Sequence, residues 1–141
     1  MSSKLMPKKV KFRKVQKGRI GGLSKGARTV HFGDFGLEAV EPYRITAQQI
    51  EAIRVILSRG MKKTGSFFIR MFPDKPVSKK PAETRMGKGK GGVDHWVAVV
   101  KRGRVICEVS GIDEVNAKQV LKGVSYKLPI KTRFIKKEVS I

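Results

Sequence analysis

Apolar residues along this chain fall into two repeating patterns, and the positions where one gives way to the other mark its elements. Ile50, Ile53, Leu57 and Met61 recur at helical spacing behind Thr46, with Gln49 three residues after that threonine. A threonine hydroxyl and a glutamine amide at this interval can each take a backbone N–H of the first turn, so the pattern predicts a helix capped at Thr46. It is expected to run until Gly65, with Arg59, Lys62 and Lys63 near the end where the helix dipole favours cations. Asp113 opens a second helix whose stripe is Ala117, Val120, Leu121, Val124 and Leu128, and Pro129 stops it. Between and around these helices the apolar residues alternate or run together as strands do. Thr29–Phe32 and Gly36–Tyr43 read as two strands joined through Gly33-Asp34-Phe35-Gly36, and Ser66–Phe72 reads as a third. Phe72-Pro73-Asp74-Lys75-Pro76 breaks it, because proline offers no N–H to a ladder. Val77 to Met86 continues as a strand or extended arm. Asp94–Lys101 and Arg104–Val109 suggest a hairpin turning at Arg102-Gly103, and Thr132–Val139 closes the chain. Short turns between mostly adjacent strands predict an α+β fold: two helices packed on antiparallel or mixed β-sheet, a sandwich-like arrangement.

The N-terminal stretch breaks this regularity. Leu5, Met6, Val10, Phe12, Val15, Ile20 and Leu23 hold neither period, and Gly18, Gly21, Gly22 and Gly26 interrupt whatever begins. Met1 to Gly33 carries ten lysines and arginines and no acid. Residues 1–28 are therefore expected to form a basic arm that orders on a partner, and residues 29–141 a single domain. A second irregular stretch, residues 79–92, reads KKPAETRMGKGKGG. Here lysine and glycine alternate, which gives a slim finger able to bring its backbone close to another surface.

Charge decides what such segments are for. The 141 residues include 32 basic and 11 acidic side chains, a formal net charge of +21. Folding does not need that field, and self-repulsion opposes compaction, so a polyanionic partner is implied. Nucleic acid fits better than membrane: Trp96–Val100 is too short to span a bilayer, and no long basic amphipathic helix is evident. Met1–Val10 lacks the apolar centre of a signal peptide. One cysteine excludes an internal disulfide and suits a reducing compartment.

Motifs that could carry chemistry fail on context. Gly87-x-Gly89-x-x-Gly92 matches a dinucleotide pattern, but a strand-like run follows it where a helix is required. Val93-Asp94 and Ala27-Arg28 stand where a phosphate-binding loop needs Lys-Ser or Lys-Thr. Gly18-Arg19-Ile20-Gly21 resembles a GXXG clamp without the flanking helices. Cys107 alternates with strand residues and reads as a small buried hydrophobe. His31 and His95 lack partners at metal-ligand spacing. Asp34, Glu38, Glu41, Glu51, Glu83, Asp94 and Glu108 are scattered singly. No enzyme, cofactor or metal site is expected.

The sequence Phe72-Pro73-Asp74-Lys75-Pro76, then Lys80-Pro81, then Arg85-Met86-Gly87-Lys88-Gly89-Lys90-Gly91 resembles the signature of the bacterial and organelle family of large ribosomal subunit protein sixteen. Pro7-Lys8, Phe12-Arg13-Lys14, Phe32-Gly33-x-Phe35-Gly36-Leu37, Thr46-Ala47-x-Gln49-Ile50-Glu51-Ala52, Ile69-Arg70 and Lys127-Leu128-Pro129-Ile130-Lys131-Thr132 extend the likeness from about Leu5 to Phe134. The resemblance implies a non-catalytic constituent of the large subunit that binds its ribosomal RNA and helps shape the aminoacyl-tRNA site near the peptidyl-transferase centre. Its partners would be large-subunit ribosomal RNA, tRNA in the aminoacyl site and neighbouring ribosomal proteins, with no membrane and no homo-oligomer. Its place would be the cytoplasmic ribosome of a bacterium, an organelle ribosome being the alternative. Carried onto this chain, Lys4, Lys8, Lys9, Lys11, Arg13, Lys14, Lys17, Arg19, Lys25, Arg28, Lys75, Lys79 and Lys80 would contact ribosomal RNA. Arg85, Met86, Gly87, Lys88, Gly89, Lys90 and Gly91 would face tRNA and the catalytic RNA, and Arg85 stands where some members carry a hydroxylated arginine. The physics is compatible, since double-helical RNA is held through phosphate and 2′-OH contacts. The low aromatic content, 7%, argues against a module that reads bases by stacking. A transient RNA chaperone or assembly factor would show the same charge, and a nucleotide-acting enzyme would need a pocket of convergent titratable groups.

Overall fold

A computed structural model describes residues 6–7, 20–61, 65–78 and 93–137. In chain order the elements are β1 (Phe35–Ala39), β2 (Tyr43–Thr46), α1 (Ala47–Gly60), β3 (Ser66–Ile69), β4 (Lys75–Ser78), β5 (Val93–Val100), β6 (Val105–Ser110), α2 (Glu114–Tyr126) and β7 (Thr132–Lys136). They form the expected α+β class: two helices with a four-stranded sheet ordered β3-β6-β1-β7 and a three-stranded sheet ordered β2-β5-β4. Every strand pair in both sheets is antiparallel.

Both helices follow their apolar stripes. Thr46 caps α1 with its hydroxyl accepting from the Gln49 N–H at 3.2 Å, while the Gln49 side chain accepts from the Thr46 N–H at 2.9 Å. Ala47, Ile50, Ile53 and Leu57 are the buried stripe of α1, and Ala117, Leu121 and Val124 that of α2. The two stripes meet Leu37, Val109, Cys107 and Ala39 of the four-stranded sheet in one continuous core. Helix α1 ends earlier than expected, at Gly60, with the Met61 N–H closing on Leu57 O. Helix α2 stops at Tyr126, and Leu128 stays buried beyond its end.

The sheets correct the expected strand pairing in three places. Gly36–Tyr43 is not one strand, because Pro42 removes a ladder donor and the chain leaves the larger sheet after Ala39 to enter the smaller one at Tyr43. Asp94–Lys101 and Arg104–Val109 are adjacent in the chain yet do not pair: β5 lies between β2 and β4, and β6 between β1 and β3. The turn is instead a second crossing between sheets, with Gly103 at φ +90° in the left-handed region that glycine occupies without strain. The two crossings hold each other, through Gly103 N–H to Ala39 O at 2.7 Å and Ala39 N–H to Arg104 O at 2.9 Å. Finally, the Pro73 break is shorter than expected, and β4 already pairs at Pro76 opposite Trp96. Strand β4 is an outer strand of its sheet, a position where a proline is tolerated.

Thr29–Phe32 is not a strand either. It belongs to an irregular segment whose construction defines the site.

Candidate nucleic-acid interface

Strand β6 reads Val-Ile-Cys-Glu-Val-Ser, and the glutamate in its middle, Glu108, is 0% exposed. A carboxylate placed there without partners would cost several kcal/mol, so the fold must supply donors. They come from the irregular segment. The backbone N–H groups of His31, Phe32 and Gly33 donate to Glu108 Oε1 at 2.9, 2.8 and 2.9 Å. Arg70 Nη1 lies 2.9 Å from Oε2 as an ion pair and donates to Thr29 O at 2.7 Å. One buried carboxylate and one guanidinium thus replace the ladder that a strand over residues 29–32 would have made.

The segment sits on the sheet face opposite the helices. Glu108 is in register with Phe68 on β3 and Gly36 on β1. A Cβ on Gly36 would stand 2.9 Å from Val30 Cγ2, so the missing side chain is the space that buried Val30 fills. Gly33 passes still closer: its Cβ would meet Val109 O at 2.6 Å, a backbone contact that cannot yield. Further back, the Ser24 N–H donates to Arg102 O at 3.0 Å, the Val105 N–H donates to Ala27 O, and Leu23 bridges to Arg102 in parallel. Residues 23–28, the C-terminal end of the expected arm, therefore lie against the domain.

What this scaffold turns outward is aromatic and cationic. Phe32 is 63% exposed. The Arg70 guanidinium stands 5.3 Å from its ring centroid, the Phe68 ring 5.7 Å away and the His31 ring 6.4 Å away. Phe32, Phe68, Ile69, Arg70, Ala27 and Arg104 line an open groove of about 500 Å³. Arg104 is tied into its floor, Nη2 donating to Arg70 O at 2.7 Å. Lys25 and Arg28 are exposed on the same segment.

Elsewhere several acids are matched to cations. Glu38 pairs with Arg133 at 2.7 Å, and Glu51 with Arg54 at 2.6 Å. Glu114 lies 2.8 Å from Lys136 and 3.4 Å from Lys118. Lys136 first, and Lys118 after it, hold the Glu114 carboxyl below its ordinary range. Pairing of this kind leaves the cationic surplus to face a partner. Cys107 is buried as expected, and burial, assisted by the Glu108 charge, pushes its thiol up to about 12, which removes it as a nucleophile.

Among the sequence-expected RNA contacts, Lys25 and Arg28 are exposed on the segment that leads to Phe32, while Lys75 begins β4 in the other sheet. Lys4, Lys8, Lys9, Lys11, Arg13, Lys14, Lys17, Arg19, Lys79, Lys80 and the finger Arg85–Gly91 lie outside the described residues. Sequence reasoning missed Glu108, Phe32, Phe68 and Arg104 as parts of a site. A signal existed for the first, the one charged residue inside an apolar strand. The low aromatic content pointed away from stacking, whereas three of the phenylalanines, Phe32, Phe68 and Phe72, are exposed.

Comparison with known proteins places the chain among ribosomal proteins. A family model described as ribosomal protein L16p/L10e matches residues 7–135. The large ribosomal subunit protein uL16 of Chlamydia trachomatis is 56% identical over 133 residues, covering 94% of this chain and 96% of that protein. The protein of the same name from Petrotoga mobilis is 54% identical over 133 residues, covering 94% of each. That from Pseudothermotoga lettingae is 56% identical over 131 residues, covering 93% of this chain and 92% of that protein.

Proposed function

The chain belongs to the L16p/L10e family of ribosomal proteins, and from that membership we propose the following role for it. It is a non-enzymatic structural component of the large subunit in translation, working in a bacterial-type cytoplasmic ribosome. It binds large-subunit ribosomal RNA and neighbouring ribosomal proteins, and it helps shape the aminoacyl-tRNA site. The observation that carries this reading is identity of 54–56% maintained over about 94% of the chain with proteins named for that subunit. The net charge of +21 supports it, since a field of that size answers a dense array of phosphates. Residues 1–28 run along ribosomal RNA through Lys4, Lys8, Lys9, Lys11, Arg13, Lys14, Lys17, Arg19, Lys25 and Arg28, and Lys75, Lys79 and Lys80 add contacts from the domain. The finger Arg85–Gly91 reaches toward tRNA in the aminoacyl site. There Gly87, Gly89 and Gly91 permit close backbone approach, and Arg85 presents its planar, forked donors to phosphate.

The test supplies the chain as a cell's sole copy. The protein is expected to stay with mature large subunits through a high-salt wash and to crosslink to ribosomal RNA from residues 1–28. Release in the wash would favour a transient assembly factor instead. Gly89→Val and Arg85→Glu are expected to slow subunit maturation or peptide-bond formation without unfolding the free protein, and Arg85→Lys to do so less. Normal rates for both harsher variants would remove the finger from the proposal.

A further inference from the structure

We propose that the groove beneath Phe32 is a stacking site for a single unpaired RNA base. The inference rests on the RNA-binding reading above and specifies its mode on one face. Three observations point to it. First, Phe32 is 63% exposed although Arg70 and Phe68 stand beside it, so the ring is held and yet open. Second, its position is built: the N–H groups of His31, Phe32 and Gly33 are all taken by a carboxylate with no exposure, which fixes the backbone that carries the ring. A solvated loop with no task does not need a buried anion to aim it. Third, two cations line the groove, Arg70 and Arg104, and Lys25 and Arg28 are exposed on the segment that carries Phe32. A ring for the base and cations for its phosphate are the two parts of single-strand recognition.

The partner must be an unpaired nucleotide. In an A-form duplex the bases are stacked on one another and the major groove is too narrow for side chains, so a protein ring finds a face only where a nucleotide is splayed out. Stacking of this kind tolerates any base, because each has a π-face. An apolar side chain of a neighbouring protein is the competing occupant, and the charge around the groove disfavours it. Glu108 acts here as a positioning residue: it does not touch the base but sets where the ring stands.

The experiment compares two probes on the full chain, a short single-stranded oligouridylate and an abasic ribose-phosphate strand of the same length. Salt is raised until phosphate-only binding is weak. The wild-type chain is expected to prefer the oligouridylate. Phe32→Ala should weaken that probe by about five- to a hundred-fold and leave the abasic strand unchanged. Phe32→Tyr should retain the preference. Phe72→Ala, which removes an exposed ring outside the groove lining, should change neither probe. Phe32 is exposed, so its replacement leaves the core intact, and circular dichroism verifies this. Equal weakening of both probes by Phe32→Ala, or an equal effect of Phe72→Ala, would overturn the stacking site while leaving RNA binding standing. Unchanged affinity in Phe32→Ala would assign the groove to a protein neighbour. Failure of the wild-type chain to bind either probe at raised salt would overturn the stacking site, and failure to bind ribosomal RNA at low salt as well would defeat the RNA-binding reading itself.

Discussion

The four-stranded sheet is covered on its two faces by different means. On one face Leu37, Cys107 and Val109 meet the apolar stripes of α1 and α2, and the cover is regular secondary structure. On the other, Glu108 and Arg70 hold an irregular segment by its backbone amides, and the cover has no periodicity. Apolar cover is non-directional and tolerates small shifts, since its energy follows area removed from water. The polar clamp tolerates little, because three N–H groups must converge on one oxygen. What that rigidity provides is placement: the helix-covered face is interior, whereas the clamped face carries Phe32 and the exposed cations outward. A sheet can thus use burial to be stable and a buried charge to aim a surface.

The most damaging way to break this contrast is to remove the carboxylate. Glu108→Ala would strand three amides and the Arg70 guanidinium, at a cost of about 3–5 kcal/mol in urea unfolding of the free protein. Glu108→Gln keeps an acceptor for the amides but turns an N–H₂ group toward Arg70, so its loss should be smaller. A distinctive sign accompanies both: amide exchange should accelerate first at His31, Phe32 and Gly33. A loss under about 1 kcal/mol in Glu108→Ala would mean that the clamp is replaceable by water.

The apolar face predicts a comparable number with a different signature. Leu57 is fully buried in the α1 stripe, and Leu57→Ala should destabilise the chain by about 2–5 kcal/mol through the cavity left behind. The loss should be global, with exchange at residues 31–33 rising no faster than in the core. Selective loosening of those amides would show that the two faces are coupled, and the comparison would have to be redrawn.

These two residues also show what the sequence discloses. Leu57 is legible because a helix writes its burial into spacing, and both helices, with the cap at Thr46, follow from that rule. The α+β class follows from the same reading. Partner choice among strands does not. Alternation in Asp94–Lys101 and Arg104–Val109 is the same whether the two strands pair with each other or with different sheets, and Gly103 suits either turn. Pro42 was a better signal, since a donorless residue inside Gly36–Tyr43 marks a break. The site was half legible. Basic residues can be counted, so Lys25 and Arg28 are found by composition, but Phe32 becomes part of a platform only when β3 delivers Phe68 and Arg70 beside it. Glu108 shows the limit most plainly, because its donors lie 75 to 77 residues away and are backbone amides that no side-chain pattern reveals.

The smallest expected effect isolates dielectric from geometry. Thr46 and Glu108 do the same work, a side-chain oxygen taking backbone N–H groups that have no ladder partner. At Thr46 one such group is involved, the Gln49 amide at 3.2 Å, on a helix terminus that is only partly buried. Water can replace the hydroxyl there, so Thr46→Ala should cost about 1 kcal/mol. Thr46→Ser should recover most of it, because the oxygen returns and only a methyl is lost. At Glu108 water has no access and the acceptor is charged, which is why its removal is expected to cost several times more. Urea midpoints for Thr46→Ala and Glu108→Ala, measured at a shared m-value, give the ratio directly. Equal losses in the two variants would show that burial adds nothing to the clamp, and the contrast between the two faces would reduce to a count of hydrogen bonds.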